Sequence, residues 1–212
     1  MELIPAVDVL DGGVVRLLQG EYDTATTYGA DPVATAAGWV QAGAGLVHVV
    51  DLAGARDGHP DLGLWSALGE AGVPFQAGGG IRTPVVAGQI LELGAERVVM
   101  GTAAVWSPGS LAGLGERVVA AVDVRSGRAT GQGWTDDGRP VGEVLDDLAG
   151  AGVGRLLVTG IGRDGTMAGP DLDLTGALIS DGRFSVIASG GVAELADLEV
   201  LSALGCEGAV VG

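Results

Sequence analysis

The stretch Ala-Val-Asp-Val at residues 6–9 recurs at residues 121–124, an offset of 115 residues along the chain. In each copy an apolar run ends in an aspartate, Asp8 in the first and Asp123 in the second. Gly12 follows the first copy and Gly127 the second, at the same offset. This offset is longer than the repeat of a solenoid protein. It predicts one domain over residues 1–212, built from two similar halves of about 1–115 and 116–212.

Four further pairs of motifs support the two halves. Each pair is spaced by a similar distance, and the pairs occur in nearly the same order in both halves. They are Arg-Asp-Gly at 56–58 and 163–165, Pro-Asp-Leu at 60–62 and 170–172, Ala-Gly-Gly-Gly-Ile at 77–81 with Ala-Ser-Gly-Gly-Val at 188–192, and Leu-Gly-Ala-Glu at 93–96 with Leu-Gly-Cys-Glu at 204–207.

Eight short apolar segments alternate with longer Ala- and Leu-rich segments. The apolar segments are 3–7, 46–50, 74–77, 97–100, 118–122, 155–158, 185–188 and 208–211. Helix-start signals precede residues 33–42, 85–93 and 172–179. Because the strand segments are continuously apolar, they predict a parallel sheet covered on both faces. Eight strand–helix units predict a (β/α)8 TIM barrel, with the eighth outer helix missing because the sequence stops at Gly212.

Composition excludes several classes of protein. The chain is 47% hydrophobic and 18% charged with a mean hydropathy of +0.41, which predicts a globular protein rather than a disordered one. With 27 acidic against 11 basic residues, its net charge of −16 repels nucleic acid and anionic membranes. No apolar run is long enough to span a membrane. The start of the sequence lacks a signal-like segment, so a cytoplasmic location is expected.

The types of reactive side chain narrow the chemistry. All 11 basic residues are arginine, so Schiff-base catalysis and a lysine-bound pyridoxal cofactor are excluded. Cys206 is the single cysteine and there are two histidines, which leaves no disulfide and little for a metal site. We therefore expect neither a cofactor nor a metal.

The aspartates at the ends of two strand segments are the candidate catalytic groups. In a (β/α)8 barrel the active site lies at the C-terminal ends of the strands, so Asp8 and Asp123 should face each other across one opening. Such a pair can supply one general acid and one general base. The alternative is that each caps a loop through backbone amides. The symmetric placement of the pair favours catalysis.

Glycine clusters follow four of the strand segments and predict two phosphate sites. Glycine lets the backbone approach an anion, and amides at a following helix N-terminus bind it without a basic side chain. Because the clusters occur in neighbouring pairs, a small-molecule substrate with a phosphate at each end is expected. The residues are Gly79, Gly80, Gly101, Thr102, Ser189, Gly190, Gly191 and Gly212.

Other polar residues should lie at the same end of the barrel. They are Arg16, His48, Asp51, Arg82, Trp134, Thr159, Asp164, Gly165 and Thr166. Trp134 could be a flat platform for a heterocycle on a glycine-flanked loop, or a packing residue of that loop. His48 could be a satisfied core histidine, Arg16 half of a surface ion pair, and Asp164 the holder of an Asx turn.

The ordered motifs resemble the phosphoribosyl isomerases of histidine biosynthesis. The likeness runs from residue 3 to 212 and rests on the stretches 4–9, 13–17, 48–52, 78–82, 133–134, 163–166 and 189–192. It implies a monomeric barrel without cofactor or metal. The implied reaction is the Amadori-type conversion of an aldose to a ketose in phosphoribosylformimino-aminoimidazole carboxamide ribonucleotide (ProFAR), which has two phosphates. It further implies that Asp8 removes the ribose C2 proton, Asp123 protonates the ring oxygen, Thr159 contacts that centre, and Asp164 supports its loop.

The sequence departs from the family pattern at three places. Gln132 stands where relatives that also isomerise phosphoribosylanthranilate carry arginine, and Gly160 stands where an acidic residue is frequent. The segment after Gly212 would complete the second phosphate site. Three alternatives follow: a dual-substrate isomerase of histidine and tryptophan biosynthesis, a catalytically weak phosphate-binding barrel, and the related imidazole-forming cyclase. The cyclase pattern has a cysteine before its first aspartate and a lysine in its first loop, and both are missing here.

Overall fold

Eight parallel strands close into a barrel in the computed structural model, which describes residues 1–18 and 20–212. The barrel strands pair in the order β1, β4, β5, β6, β7, β10, β11 and β12, and β12 pairs back to β1. The described strands are β1 (Glu2–Leu10), β2 (Gly13–Leu18), β3 (Glu21–Gly29), β4 (Val47–Asp51), β5 (Phe75–Gly78), β6 (Arg97–Met100), β7 (Val118–Arg125), β8 (Arg128–Thr130), β9 (Arg139–Pro140), β10 (Arg155–Gly160), β11 (Ser185–Ser189) and β12 (Gly208–Val211). The predicted (β/α)8 barrel is confirmed.

Helices cover the outside of the barrel. They are α1 (Pro32–Gln41), α2 (Leu52–Asp57), α3 (Leu62–Glu70), α4 (Pro84–Glu92), α5 (Thr102–Trp106), α6 (Val141–Gly150), α7 (Leu172–Asp181) and α8 (Leu195–Leu204). The short α2 lies in the loop between β4 and α3. Among the described residues no helix follows β12. None of the described helices is long and apolar enough to cross a membrane.

The predicted start signals work as helix caps. The side chains of Asp31, Thr83 and Asp171 accept hydrogen bonds from first-turn amides of α1, α4 and α7. Asp61, which was not among the predicted signals, caps α3 in the same way. Each cap satisfies a backbone donor that has no partner within its own helix. The caps fix where each helix begins, and so how long the loop above the barrel is.

Apolar side chains fill two separate layers. Ile4, Leu46, Val99, Leu157 and Ile187 belong to the cluster inside the barrel. A larger cluster, which includes the stacked rings of Trp65 and Phe75, lies between the strands and the helices. Because both faces of the sheet are buried, the strands read as continuous apolar runs.

A long hairpin follows β1 and was not predicted from the sequence. Strands β2 and β3 are antiparallel, and β2 also pairs with β1. Side chains on β3 are mostly exposed. The hairpin therefore extends the barrel wall upward beside the C-terminal ends of the strands.

An ion-pair cluster lies at the opposite end, where the barrel strands begin. Glu207 contacts Arg155 at 2.8 Å and Arg97 at 3.5 Å, and Arg97 lies 4.0 Å from Glu2. Arg155 also donates to the carbonyl of Glu116. The cluster joins residues of both halves of the chain at the floor of the barrel.

Candidate active site

One cavity of about 270 Å³ opens at the C-terminal ends of the barrel strands. All but three of the predicted site residues line it. They are Asp8, Arg16, His48, Gly79, Gly80, Arg82, Gly101, Thr102, Asp123, Trp134, Thr159, Asp164, Ser189, Gly190, Gly191 and Gly212. The three that do not line it are Asp51, Gly165 and Thr166.

Asp8 reaches the cavity from β1. Burial raises the pKa of its carboxyl from 3.8 to about 6. The Arg16 guanidinium opposes this rise and the Asp164 carboxylate adds to it. A carboxylate with a pKa near 6 is mostly ionised at neutral pH, yet it binds a proton more readily than an ordinary aspartate.

Asp123 lies on the other half of the barrel, on β7. It pairs in register with Thr159 on β10, so both side chains point to the same face of the sheet. Burial raises the pKa of Asp123, and hydrogen bonds from Trp134 and Thr159 partly offset that rise. Asp164 raises it further. Asp123 is therefore half-buried and more easily protonated than a surface aspartate.

Asp164 is a third carboxyl group at the cavity. Its pKa is also raised, because burial outweighs the attraction of Arg16 and a hydrogen bond from the Gly165 amide. The Arg16 guanidinium packs closely against Gly212 at the end of β12, where a Cβ atom would overlap it. Arg16 is thus the cation that both Asp8 and Asp164 experience.

His48 is a buried neutral histidine that lines the cavity from β4. Burial lowers its pKa from 6.5 to about 4. Its Nδ1 atom lies 3.0 Å from Nε2 of Gln76 on the neighbouring strand.

Asp51, which was predicted to bind substrate, does not line the cavity. It pairs in register with Val9, whereas Asp8 pairs with Val50. Neighbouring residues along a strand point to opposite faces, so Asp51 points outward when Asp8 points inward. Its carboxylate accepts the amides of Gly54 and Asp61, each at 2.7 Å. Asp51 thus organises the loop between β4 and α3.

Gly165 and Thr166 also lie outside the cavity wall, in the loop between β10 and α7. The Thr166 hydroxyl donates to the carbonyl of Arg163 at 2.6 Å. The Gly165 amide donates to Asp164. Both residues therefore shape the turn that carries Asp164.

Two glycine clusters form opposite walls of the cavity. Gly80 has φ +71° and a Cβ atom there would collide with the backbone of Gly54. Gly191 has φ +82° and a Cβ would collide with the backbone of Gly169. Only glycine combines this conformation with such close packing. In both halves of the chain, the cavity wall at these positions therefore consists of backbone without side chains.

The sequence predicted that helix N-termini directly follow the glycine clusters, but at α4 and α8 they do not. Thr83 caps α4, and α8 begins with a reciprocal pair between Glu194 and Asp197. Both helix ends are separated from the glycine clusters by a few residues, so loop residues rather than helix N-termini line the cavity there. Helix α5, by contrast, starts directly at the cavity with Gly101 and Thr102, and no described side chain caps it.

Sequence reasoning missed the part that the first hairpin plays in the cavity. Tyr22 of β3 lines the cavity, and its hydroxyl donates to the carbonyl of Leu52 at 2.8 Å. Gly20 lies against the Trp134 ring, where a Cβ atom would come within 2.8 Å of the indole. The hairpin of one half thus touches a loop of the other half above the cavity. Tyr22, in a polar segment, gave no signal beyond its residue type.

Among the described residues no three His, Cys, Asp or Glu side chains are grouped so as to hold a metal ion. The polar groups of the cavity are three carboxyls, a neutral imidazole, two guanidinium groups, the Gln132 carboxamide, the Trp134 indole, hydroxyls and backbone amides. This set suits proton transfer on an anionic substrate.

Comparison with known proteins agrees with this arrangement. A family model described as "Histidine biosynthesis protein" matches residues 2–212. Three relatives carry the name 1-(5-phosphoribosyl)-5-((5-phosphoribosylamino)methylideneamino)imidazole-4-carboxamide isomerase. They come from Roseiflexus castenholzii (43% identical over 220 residues), Moorella thermoacetica (43% over 222) and Sorangium cellulosum (46% over 223). Each alignment covers 100% of this chain and 91–92% of the relative. The chain is therefore a member of the histidine biosynthesis protein family.

Proposed function

We propose that this protein is an isomerase that converts ProFAR into its ribulosyl isomer in histidine biosynthesis. The single observation that carries the proposal is the pair of carboxyls, Asp8 and Asp123, which enter one cavity from the two halves of the barrel with raised pKa values. The names of the full-length relatives support the substrate.

In the proposed reaction Asp123 acts first, as the general acid. It gives a proton to the ring oxygen of the aminated ribose while the bond from that oxygen to C1 breaks, and the nitrogen lone pair forms a C1–N double bond. A raised pKa makes Asp123 a better carrier of this proton than an ordinary aspartate.

Asp8 acts second, as the general base. It removes the C2 proton, and the electron pair of that bond forms a C1–C2 double bond while the C–N double bond becomes single. The resulting enol-amine takes up a proton at C1 and releases the proton of its C2 hydroxyl, so that C2 becomes a ketone. Atoms and electrons balance within the substrate, so the step needs no oxidant or reductant. With a pKa of about 6, Asp8 is ionised at neutral pH and is still basic enough to take the proton.

We propose that the glycine walls bind the two phosphates of the substrate. One site would use Gly79, Gly80, Gly101 and Thr102, and the other Ser189, Gly190, Gly191 and Gly212. Arg82 and Arg16 lie beside the first and second walls and supply the positive charge that a phosphate favours. The separation of the walls on opposite halves suits a substrate with a phosphate at each end.

The remaining cavity residues would contact the middle of the substrate. We assign His48, Trp134 and Thr159 to polar or stacking contacts there, and Asp164 to the support of Asp8 and Asp123 through its charge. Asp51, Gly165 and Thr166 act on loop conformation in this proposal, because their polar groups bond to the backbone.

Steady-state isomerisation of ProFAR and phosphoribosylanthranilate, assayed side by side on the purified protein, tests the proposal. We expect turnover of ProFAR and little turnover of phosphoribosylanthranilate, because Gln132 offers no positive charge to the anthranilate carboxylate. Turnover of both would make it a dual-substrate enzyme. Turnover of neither, with retained bisphosphate binding, would leave a phosphate-binding barrel and refute the isomerase proposal.

We propose that the enzyme works as a monomer in the cytoplasm. All groups in the mechanism come from one chain, so the cavity needs no second copy. The free thiol of Cys206 is compatible with a reducing compartment.

A further inference from the structure

The loop that carries Trp134 has an unfavourable backbone conformation. Gln132, Gly133 and Trp134 form one left-handed turn with φ angles of 50°, 64° and 69°. Residues with a Cβ atom rarely adopt this conformation, because the Cβ comes too close to the following carbonyl. Surrounding contacts must therefore hold the turn.

The Asp136 carboxylate makes contacts that can hold this turn. It accepts the amide of Gly131 at 3.0 Å, on one side of the turn, and the amide of Gly138 at 2.9 Å, on the other. It also accepts the indole N–H of Trp106 at 2.8 Å. One carboxylate thus joins both ends of the loop to helix α5.

Packing around Gly131 shows how closely these groups fit. A Cβ atom at Gly131 would lie 3.0 Å from the Trp106 indole nitrogen and 3.1 Å from the Asp136 carboxylate. The next residue, Gln132, donates its amide to the Thr102 hydroxyl at 3.0 Å. The loop therefore rests on α5, the helix that begins at the cavity wall.

We infer that Asp136, together with Trp106, is a positioning residue that holds the Trp134 loop against Asp123. Trp134 and Asp123 line the same cavity, and interaction with the Trp134 side chain lowers the pKa of Asp123, so the conformation of this loop acts on the proposed general acid. Asp136 does not line the cavity and acts only through the loop. The kinetic part of this inference rests on the proposed function, whereas the anchoring of the loop does not.

Neighbouring Asp137 offers a matched control. It has the same charge and lies one residue away, but its side chain is exposed and makes no hydrogen bond or ion pair among the contacts of the described residues. Its backbone carbonyl accepts a hydrogen bond from Arg128. Asp136→Ala and Asp137→Ala therefore change the charge equally, and only the first removes the anchor.

Hydrogen exchange on the substrate-free protein tests the anchor. We expect amide exchange of residues 131–138 to be at least tenfold faster in Asp136→Ala than in the wild type or in Asp137→Ala, since the Gly131 and Gly138 amides lose their acceptor. Equal exchange in the two variants would overturn the inference, whether or not the protein turns over ProFAR.

Kinetics on ProFAR test the positioning role. We expect Asp136→Ala to lower kcat roughly ten- to a hundredfold, with a smaller change in KM, because a displaced catalytic contact costs rate. The groups that face Asp123 are Trp134, Thr159 and Asp164. Loss of the interaction with Trp134 raises the pKa of Asp123, so the alkaline limb of the pH–rate profile should move to higher pH. An unshifted limb with an unchanged kcat would overturn this role.

A double variant covers the case in which Asp136→Ala does not fold. Asp136→Asn keeps an oxygen for the Gly131 and Gly138 amides but turns an N–H toward the Trp106 indole, so two donors meet. Trp106→Phe removes that conflict. We expect the Asp136→Asn, Trp106→Phe protein to be at least as active as Asp136→Asn alone. A strictly additive loss would show that the two side chains do not act together.

Discussion

Asp8, the proposed general base, destabilises the fold when it is ionised. Its pKa is about 6 in the folded protein and 3.8 for the unperturbed group, so the folded state binds its proton more tightly than the unfolded state does. The stability that follows from this is present below about pH 4 and is lost as pH rises through 6. At neutral pH the ionised carboxylate therefore destabilises the fold.

Replacing Asp8 should separate stability from activity. We expect Asp8→Asn to lower ProFAR turnover roughly 10²- to 10⁴-fold, as for loss of a general base. At pH 7 the same change should raise the free energy of unfolding by something on the order of 1–3 kcal/mol, because a buried charge is removed. Urea unfolding and steady-state kinetics measure the two effects. A variant that loses both activity and stability would make Asp8 a structural residue.

The pH dependence of the reaction should follow the ionisation of Asp8. Since the base must be deprotonated, kcat/KM should fall about tenfold per unit below a pH of about 6. Substrate phosphates also titrate near pH 6. The control is Asp164→Asn, which leaves the phosphates unchanged but removes a negative charge that raises the pKa of Asp8. Its acidic limb should lie at lower pH than that of the wild type, and an identical limb would assign the titration to substrate.

Three aspartates at strand ends show which side-chain positions the sequence predicted correctly and which it did not. Asp8 and Asp123 were predicted to share a cavity, and both line it. Asp51 was predicted to join them, yet it points to the helices. His48 and Asp51 are three residues apart on one strand, so only one of them can point inward. Strand periodicity was thus a signal that could have separated them.

At the scale of elements, Asp51 stabilises the loop between β4 and α3 by accepting two of its backbone amides. We expect Asp51→Ala to lower the free energy of unfolding by about 2–4 kcal/mol, because two buried amides lose their acceptor. The control, Asp51→Asn, keeps one acceptor oxygen and should lose about half as much. Thermal or urea unfolding measures this. A raised KM with unchanged stability would return Asp51 to substrate binding.

In the second half of the chain, a glycine at the end of a barrel strand makes room for the residue that caps the following helix. Gly160 ends β10 and lies against Asp171, the cap of α7; a Cβ at position 160 would come within 2.8 Å of the Asp171 Cβ. An acidic residue at 160, frequent in the family, would therefore displace this cap. The glycine fits the packing of Asp171, which explains the departure in physical terms.

Elements with a buried face were predictable, and polar ones were not. The eight barrel strands and helices α1, α4 and α7 follow from apolar runs and caps, within a few residues of the observed bounds. The β2–β3 hairpin was missed because residues 21–29 are polar or exposed on both faces, so no periodicity marks them. The Trp134 loop was predicted, but its conformation was not, because that depends on contacts with α5.

At the scale of the whole molecule, the paired motifs coincide with paired structural roles. Residues 1–115 supply four barrel strands and residues 116–212 the other four. We propose that the chain is one domain of two half-barrels with these bounds. Their carboxyls and glycine walls face each other across the cavity, so the proposed site requires both halves.

The ion-pair cluster at the barrel floor should contribute to stability without affecting catalysis. Glu207→Gln leaves Arg155 and Arg97 facing a neutral group, at positions where both side chains are 21% exposed. We expect the free energy of unfolding to fall by about 1–3 kcal/mol. ProFAR turnover should stay unchanged, because the cluster lies at the end opposite the cavity. Glu199→Gln, on the exposed face of α8, is the matched control and should change neither.

The hairpin has a further consequence, for contact between molecules. Strand β3 pairs with β2 and forms an edge of the twelve-stranded sheet. An edge strand can add a strand from another chain, and its acidic residues Glu21 and Asp23 discourage this by repulsion between copies of a protein with net charge −16. Acidification would neutralise that repulsion and leave the β-prone residues Thr26, Thr27 and the exposed Tyr28 as the rim along which molecules self-associate.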